Sequence, residues 1–211
     1  MLIKPQFIVI EGLEGAGKST AMQTIKAYLK PLISELVITR EPGGTRLGED
    51  LRKLIKDKNR EEIINPMSEL LLLYTARVQH VDQVIKPALK RGASVLCDRF
   101  ELSTFAYQGG GRELPFDKLS ELSKLCLNGF KPDLTLFLDL PAEEGLKRAR
   151  KRGEFDRIEQ ESLAFFKRVE HTYQNLIQQA DNVIRIDASL PLKSVQESIL
   201  TNLNKFYSSC N

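Results

Sequence analysis

Gly12-Leu13-Glu14-Gly15-Ala16-Gly17-Lys18-Ser19, directly after Phe7-Ile8-Val9-Ile10-Glu11, decides the fold of this 211-residue chain. The octet fits G-x-x-x-x-G-K-[ST]. The four apolar residues before Glu11 read as a buried strand, and Thr20-Ala21-Met22-Gln23-Thr24-Ile25 opens a helical pattern. A glycine-rich turn before an ordinary helix could share the string. The strand–loop–helix setting argues instead for a loop that holds phosphate. Each residue type has a physical job there. Gly12, Gly15 and Gly17 let the backbone wrap an anion with no Cβ in the way. The N–H groups of Leu13, Glu14, Ala16 and their neighbours, with the helix N-terminus, then face the negative charge. Lys18 supplies a mobile positive charge and Ser19 a hydroxyl for Mg²⁺.

The pattern repeats its logic along the chain. Apolar strands are expected at Phe7–Ile10, Leu36–Thr39, Ser94–Cys97, Leu134–Asp139 and Val183–Ile186. Helices are expected at about Lys18–Ile33, Arg46–Lys56, Ser68–Lys90, Leu102–Gln108, Asp117–Asn128, Ala142–Lys151, Glu159–Ala180 and Lys193–Phe206. Apolar strands alternating with long helices predict an α/β fold, a five-stranded parallel sheet with helices on both faces. Glu41-Pro42-Gly43-Gly44, Gly109-Gly110-Gly111 and Lys131-Pro132-Asp133 read as turns. None is long enough for an interdomain linker, so 1–211 is expected to be one domain. Ligands of such sheets gather at the carboxyl ends of the strands.

Composition excludes other classes. Hydrophobic residues make up 42% and charged residues 28%, which suits a packed core rather than a disordered chain. No apolar run approaches the ~18 residues of a membrane span, so no membrane partner is expected. Net charge is +3, too mild to argue for nucleic acid. Cys97, Cys126 and Cys210 lack metal-ligand spacing; Cys97 reads as a small buried thiol, and a reducing cytoplasm is the natural setting.

Several constellations sit where ligands are expected. Asp98-Arg99 ends an apolar strand. Asp98 can hold Mg²⁺ directly or through water, or form an ordinary surface ion pair with its surroundings; the phosphate loop in the same chain favours the metal. Thr104, Tyr107 and Gln108 share one helical face and suit a base and a sugar, though a polar surface helix would look similar. Leu70, Leu71, Leu72 and Leu73 mark a core helix that Arg77 interrupts. That arginine needs a ligand, a partner or an exit to water. Arg148, Arg150, Arg152 and Arg157 crowd the segment around Gly153. They form either a solvated basic helix end or a mobile lid, at about 148–160, that carries arginines to transferring phosphate. Arg40 and Arg52 add charge beside Glu41-Pro42-Gly43-Gly44-Thr45. Lys18, Arg40, Arg77, Arg99 and the lid together exceed what one triphosphate requires, which points to two phosphorylated substrates.

These residues resemble the thymidylate kinase family, in its bacterial form, nearly end to end. The resemblance rests on Ile10–Ser19, Arg40-Glu41-Pro42-Gly43-Gly44-Thr45, Tyr74-Thr75-Ala76-Arg77, Asp98-Arg99, Ser103–Arg112, Lys131–Thr135 and Arg148–Glu161. It implies γ-phosphoryl transfer from ATP to dTMP, with Mg²⁺ held by Ser19 and Asp98, in a homodimer whose long helices pack across a two-fold axis. It implies that Gly12 to Thr20 bind ATP, and that Lys18, Arg99 and Arg152 serve the transfer. It implies a dTMP site of Glu14, Arg40, Arg52, Leu73, Arg77, Arg99, Thr104, Tyr107 and Gln108, with Arg77 reading the thymine edge and Tyr107 crowding the 2′ position. Acidic Glu14 in the loop and a basic lid imply that the lid supplies the extra charge. Leu73 departs from the pattern, standing where relatives often place a phenylalanine. Another nucleoside-monophosphate kinase or a deoxynucleoside kinase is the nearest rival. The rival of a different class is a GTPase-type switch or a non-catalytic nucleotide-binding module, and no Asn-Lys-x-Asp guanine signature occurs in the chain.

Overall fold

The computed structural model describes residues 3–59, 61–153 and 155–209, the side chains of Arg152 and Ser209 excepted. Five strands among these form one parallel sheet: β1 (Phe7–Gly12), β2 (Leu36–Arg40), β3 (Ser94–Asp98), β4 (Leu134–Asp139) and β5 (Val183–Asp187), in the order β2-β3-β1-β4-β5. The expected strands are all present, most one or two residues longer at their carboxyl ends. The register aligns Ile10 and Arg40 with Asp98, and Gly12 with Leu138. The tips that carry chemistry therefore share one edge of the sheet.

A continuous apolar run is what a strand covered on both faces requires. Ile8 and Ile10 pack with Leu96, Leu136, Ile25, Leu29, Ile199 and Leu203 on one face. Phe7 and Val9, alternating with them, pack with Val95, Cys97, Val81 and Ile85 on the other. Helices α1 (Lys18–Leu29) and α9 (Leu192–Ser209) cover the first face. Each fully buried aliphatic side chain contributes about 1.5–3 kcal/mol. Cys97 is buried as expected, while Cys210 lies outside the described residues.

Helix limits differ from expectation where chain chemistry intervenes. Pro31 removes a backbone N–H, and α1 stops at Leu29 rather than Ile33. The expected Ser68–Lys90 helix is α3 (Pro66–His80), a π turn over Val81–Ile85, and α4 (Lys86–Lys90). Pro87 would otherwise force its ring against the carbonyl one turn back; the wider turn takes up the extra residue. Within α3, Leu70 is buried but Leu71 is exposed, so the four leucines do not all enter the core. The helix expected at Leu102–Gln108 is α5 (Glu101–Thr104) followed by a π turn over Phe105–Gly111. Gly109-Gly110-Gly111 is thus not a loop. A Cβ at Gly110 would lie 2.1 Å from Thr172 Oγ1, so glycine lets this turn press against α8 (Leu163–Ile177). Helix α8 starts at Leu163 instead of Glu159, because Ser162 caps it by accepting from the Phe165 amide at 3.2 Å. Helices α2 (Arg46–Lys56), α6 (Phe116–Leu127) and α7 (Ala142–Arg152) fall where expected within a residue.

Candidate active site

The loop from Gly12 to Gly17 turns β1 into α1. Two of its glycines answer to packing as well as to a ligand. A Cβ at Gly15 would sit 2.2 Å from the Gly145 carbonyl of α7. One at Gly12 would sit 2.6 Å from the carbonyl of Leu138 on β4. Gly17 precedes α1 in the left-handed region, φ 89°, with no side-chain cap on the helix. The first-turn N–H groups stay available to an anion. Lys18 Nζ donates to the carbonyls of Gly12 at 3.0 Å and Leu13 at 2.8 Å. Burial, and then repulsion from Arg99, push the Lys18 ammonium down to about 8, with Glu14, Asp98 and Glu11 opposing. Ser19 and Thr20 are exposed on the first turn of α1.

Beside the loop opens a cleft lined by Glu14, Arg52, Leu73, Arg77, Asp98, Arg99, Thr104, Tyr107 and Gln108, among others. The left-handed φ of 72° at Arg99 turns its side chain from the tip of β3 toward the phosphate loop. Its Nη2 donates to Glu14 Oε1 at 2.7 Å, and its Nη1 to Ser103 Oγ at 3.1 Å. The Tyr107 hydroxyl donates to Glu14 Oε2. Burial alone would raise the Glu14 carboxyl, but Arg99 and Lys18 outweigh it and hold it below the usual range. Glu11 has no exposed surface and staples this corner, accepting from the Phe100 amide at 2.8 Å, Ser103 Oγ at 2.6 Å and the Tyr173 hydroxyl at 2.9 Å. Burial nevertheless leaves its carboxyl raised.

Arg77 finds a partner rather than an exit to water. Its Nε donates to Glu41 Oε2 at 2.7 Å, and its guanidinium lies over the rings of Tyr74 and Phe100. The other oxygen of Glu41 takes His80 Nδ1 at 2.9 Å. Two atoms of the cleft residues stay unsatisfied among the described residues: Arg77 Nη1 and Asp98 Oδ1, both buried without a hydrogen-bond partner. Such atoms are costly unless a ligand completes them. Arg52 donates to the Pro42 carbonyl at 3.0 Å from the cleft wall. Arg40 does not line the cleft; it pairs with Glu49 at 2.8 Å, half-exposed.

The segment after α7 is docked across the far side of the cleft. Arg157 Nε donates to the Ile55 carbonyl at 2.7 Å, and its Nη2 reaches Glu69 on α3. Asp156 pairs with Lys56, and Asp156 and Ile158 line the cleft. Arg157 therefore anchors the segment instead of presenting a free charge. Arg148 donates to Glu144 at 3.1 Å and to the Ala188 carbonyl at 3.2 Å. It overhangs a second groove, bounded by Gly17, Thr20 and residues 188–192. The side chain of Arg152 lies outside the described residues.

A phosphate loop, an acidic strand tip and an arginine-rich second cleft are what a nucleotide kinase requires, and sequence comparison decides which. The thymidylate kinase family model matches residues 10–199. The chain belongs to the thymidylate kinase family. Thymidylate kinase of Legionella pneumophila (strain Corby) is 54% identical over 201 residues, 95% of either chain. That of the Paris strain is 53% identical over the same share. Thymidylate kinase of Idiomarina loihiensis is 49% identical over 95% of this chain and 98% of its own length. Among the residues that the family resemblance placed in the acceptor site, Arg40 alone stands away from the cleft. Sequence reasoning missed Glu11, Glu41, Glu69, Ser103 and Tyr173. The two carboxylates at strand ends, Glu11 and Glu41, carried a signal: each is an acid directly after apolar residues or at a strand tip.

Proposed function

We propose that this chain transfers the γ-phosphoryl group of ATP to the 5′-phosphate of dTMP, giving dTDP and ADP. One observation carries the reading beyond the family match: the cleft that holds Arg99 next to the phosphate loop also holds the unsatisfied Nη1 donor of Arg77. Phosphate at one end and a base carbonyl at the other is the pattern of a nucleotide acceptor. Lys18 and the loop amides take the ATP phosphates, and the groove under Arg148 takes the donor nucleoside. Arg99 and Arg52 take the acceptor phosphate, with Arg40 joining them on rearrangement of its exposed pair with Glu49. Leu73 lies against the base, and Thr104, Tyr107 and Gln108 complete the nucleoside contacts.

The protein has little covalent work in such a transfer. It aligns the acceptor oxygen with the γ-phosphorus, neutralises charge and excludes water. No general base is needed, because a phosphate monoester is already largely dianionic near pH 7. The residues present fit Mg²⁺: Asp98 offers a buried oxygen without a partner, and Ser19 an exposed hydroxyl beside Lys18. Asp98 and Ser19 would hold the ion, which would supply positive charge to offset the negative charge of the ATP phosphates. The segment of about 148–160 acts as a lid within one kinase domain spanning 1–211, and Arg152 supplies its phosphate contact. Its closure limits loss of ATP to water.

Two further features belong to the proposal. Met67, Leu71 and Val78 are exposed on one face of α3, which suits the packing of a second copy in a homodimer. Work in the cytoplasm is the second; separately, no helix among the described residues is long and apolar enough to cross a membrane. A coupled assay for ADP across dTMP, dUMP, UMP, CMP and thymidine tests the whole reading. Turnover is expected with dTMP and not with thymidine. Preference for CMP or thymidine would overturn it.

A further inference from the structure

Glu69 is an acid with no exposed surface, in the first turn of α3, where a solvated residue would be ordinary. Its Oε1 accepts from Gln108 Nε2 at 2.8 Å and Arg112 Nε at 3.2 Å. Its Oε2 takes Arg112 Nη2 at 3.3 Å and the Nη2 of Arg157 from the lid segment. Burial alone would raise this carboxyl, but Arg112 and Arg157 outweigh it and keep it below the usual range. A buried carboxylate between two guanidinium groups is an anion, and an anionic carboxylate only accepts. The group that Gln108 turns toward Glu69 must then be its NH₂. The amide cannot rotate to put its carbonyl there without setting two oxygens face to face in a dry site.

We infer that Glu69 is a specificity-determining positioning residue: by holding the Gln108 NH₂, it leaves the Gln108 carbonyl as the acceptor offered to the acceptor base. The inference rests on the proposed nucleotide site and deepens it. Gln108 and Arg77 line the same cleft, and Arg77 Nη1 is a donor without a partner. An acceptor beside a donor matches the edge of a keto pyrimidine, whose ring N3–H donates and whose C4 carbonyl accepts. Cytosine presents the reverse pair, a bare N3 and an amino group. Against a fixed Gln108 both of its contacts fail; against a freely rotating amide only the Arg77 contact fails. Glu69 never touches the substrate, yet it makes thymine or uracil the base that fits and cytosine the base that does not.

The test is the ratio of kcat/KM for dTMP to that for dCMP, with saturating ATP and Mg²⁺. Glu69→Gln frees the Gln108 amide to rotate, because a neutral amide can donate as well as accept. The ratio is expected to fall by about tenfold or more, since a site built on hydrogen bonds loses its discrimination when they are re-paired. In the Gln108→Leu background the same substitution is expected to leave the ratio unchanged. Equal losses for both acceptors from Glu69→Gln, or an effect on the ratio that persists without Gln108, would overturn the inference and leave Glu69 a structural clamp. If Gln108→Leu itself leaves the ratio unmoved, the base-edge reading of Gln108 falls, and this inference with it. Should Glu69→Gln not fold, exchange of the Gln108 side-chain NH₂ protons in the unaltered protein decides. Protection in the ligand-free state supports the bond to Glu69, and solvent-fast exchange overturns it.

Discussion

Arg99 Nη2 donates to Glu14 Oε1 at 2.7 Å, tying the tip of β3 to the phosphate loop across 85 residues of chain. A loop carboxylate thus holds the arginine proposed for the acceptor phosphate. Both groups are mostly buried, so their attraction is only weakly screened. The planar fork of arginine matches a carboxylate and a phosphate alike; a lysine matches neither in two bonds. Arg99→Lys keeps the charge and the fold but is expected to lower kcat/KM for dTMP by at least ~10². Steady-state kinetics checks it, and near-normal turnover would remove Arg99 from the acceptor site.

Lys18 is held near pKa 8 chiefly by burial and by Arg99. Only the protonated ammonium attracts phosphate. In free enzyme kcat/KM for ATP is therefore expected to fall as pH rises through about 8. Bound phosphate favours the charged form, so kcat should hold to a higher pH. Lys18→Arg should shift the alkaline fall of kcat/KM upward, and Lys18→Ala should cost orders of magnitude in turnover. A profile that is the same for Lys18 and Arg at this position would assign the titration elsewhere.

Tyr107 meets three aromatic rings edge-on, with centroids 6.3 Å from Phe165, 6.5 Å from Phe166 and 6.2 Å from Tyr173. Truncation to alanine leaves a cavity there, at an expected cost of about 3–5 kcal/mol in stability. In the fraction that remains folded, Tyr107→Ala should relax discrimination between dTMP and its ribose counterpart, whereas Tyr107→Phe should keep it. Thermal unfolding and the ratio of the two turnover rates check both parts. An unchanged ratio in the alanine variant would show that the ring does not crowd the 2′ position.

Leu73 lines the cleft, half-buried, on the same side of α3 as Arg77. Leu73→Phe adds a ring able to stack on a base, and should tighten dTMP by ~0.5–1.5 kcal/mol if the added volume fits without strain. Calorimetric titration of the two proteins measures this directly. Weaker binding would mean that neighbouring side chains already fill the space.

Arg152 ends α7 just before Gly153, whose φ is 106°. A lid arginine stabilises charge that is best aligned after closure, so Arg152→Ala should lower kcat far more than it raises KM for dTMP. Lys147→Ala, on an exposed position of the same helix, is the control and should change either constant only slightly. Small, equal effects from the two would return the basic segment to surface chemistry.

The sheet, the phosphate loop and most of the residues that line the cleft are legible in the chain alone. Those features are written locally: four apolar residues before Glu11, glycines at fixed offsets before Lys18, an acid and an arginine at the tip of β3. Local pattern also misled at Pro31 and at Gly109–Gly111, where a missing N–H ended a helix and a tight approach to α8 kept glycines inside a turn. The buried carboxylates and their partners, by contrast, emerge only on folding. Glu11 meets Tyr173 across 162 residues, Glu41 meets Arg77 across 36, and Glu69 meets Arg157 across 88. A carboxylate leaves the surface only when a hydrogen-bond donor or an opposite charge arrives to meet it, and which one arrives depends on how the sheet stacks distant segments, not on any spacing along the chain.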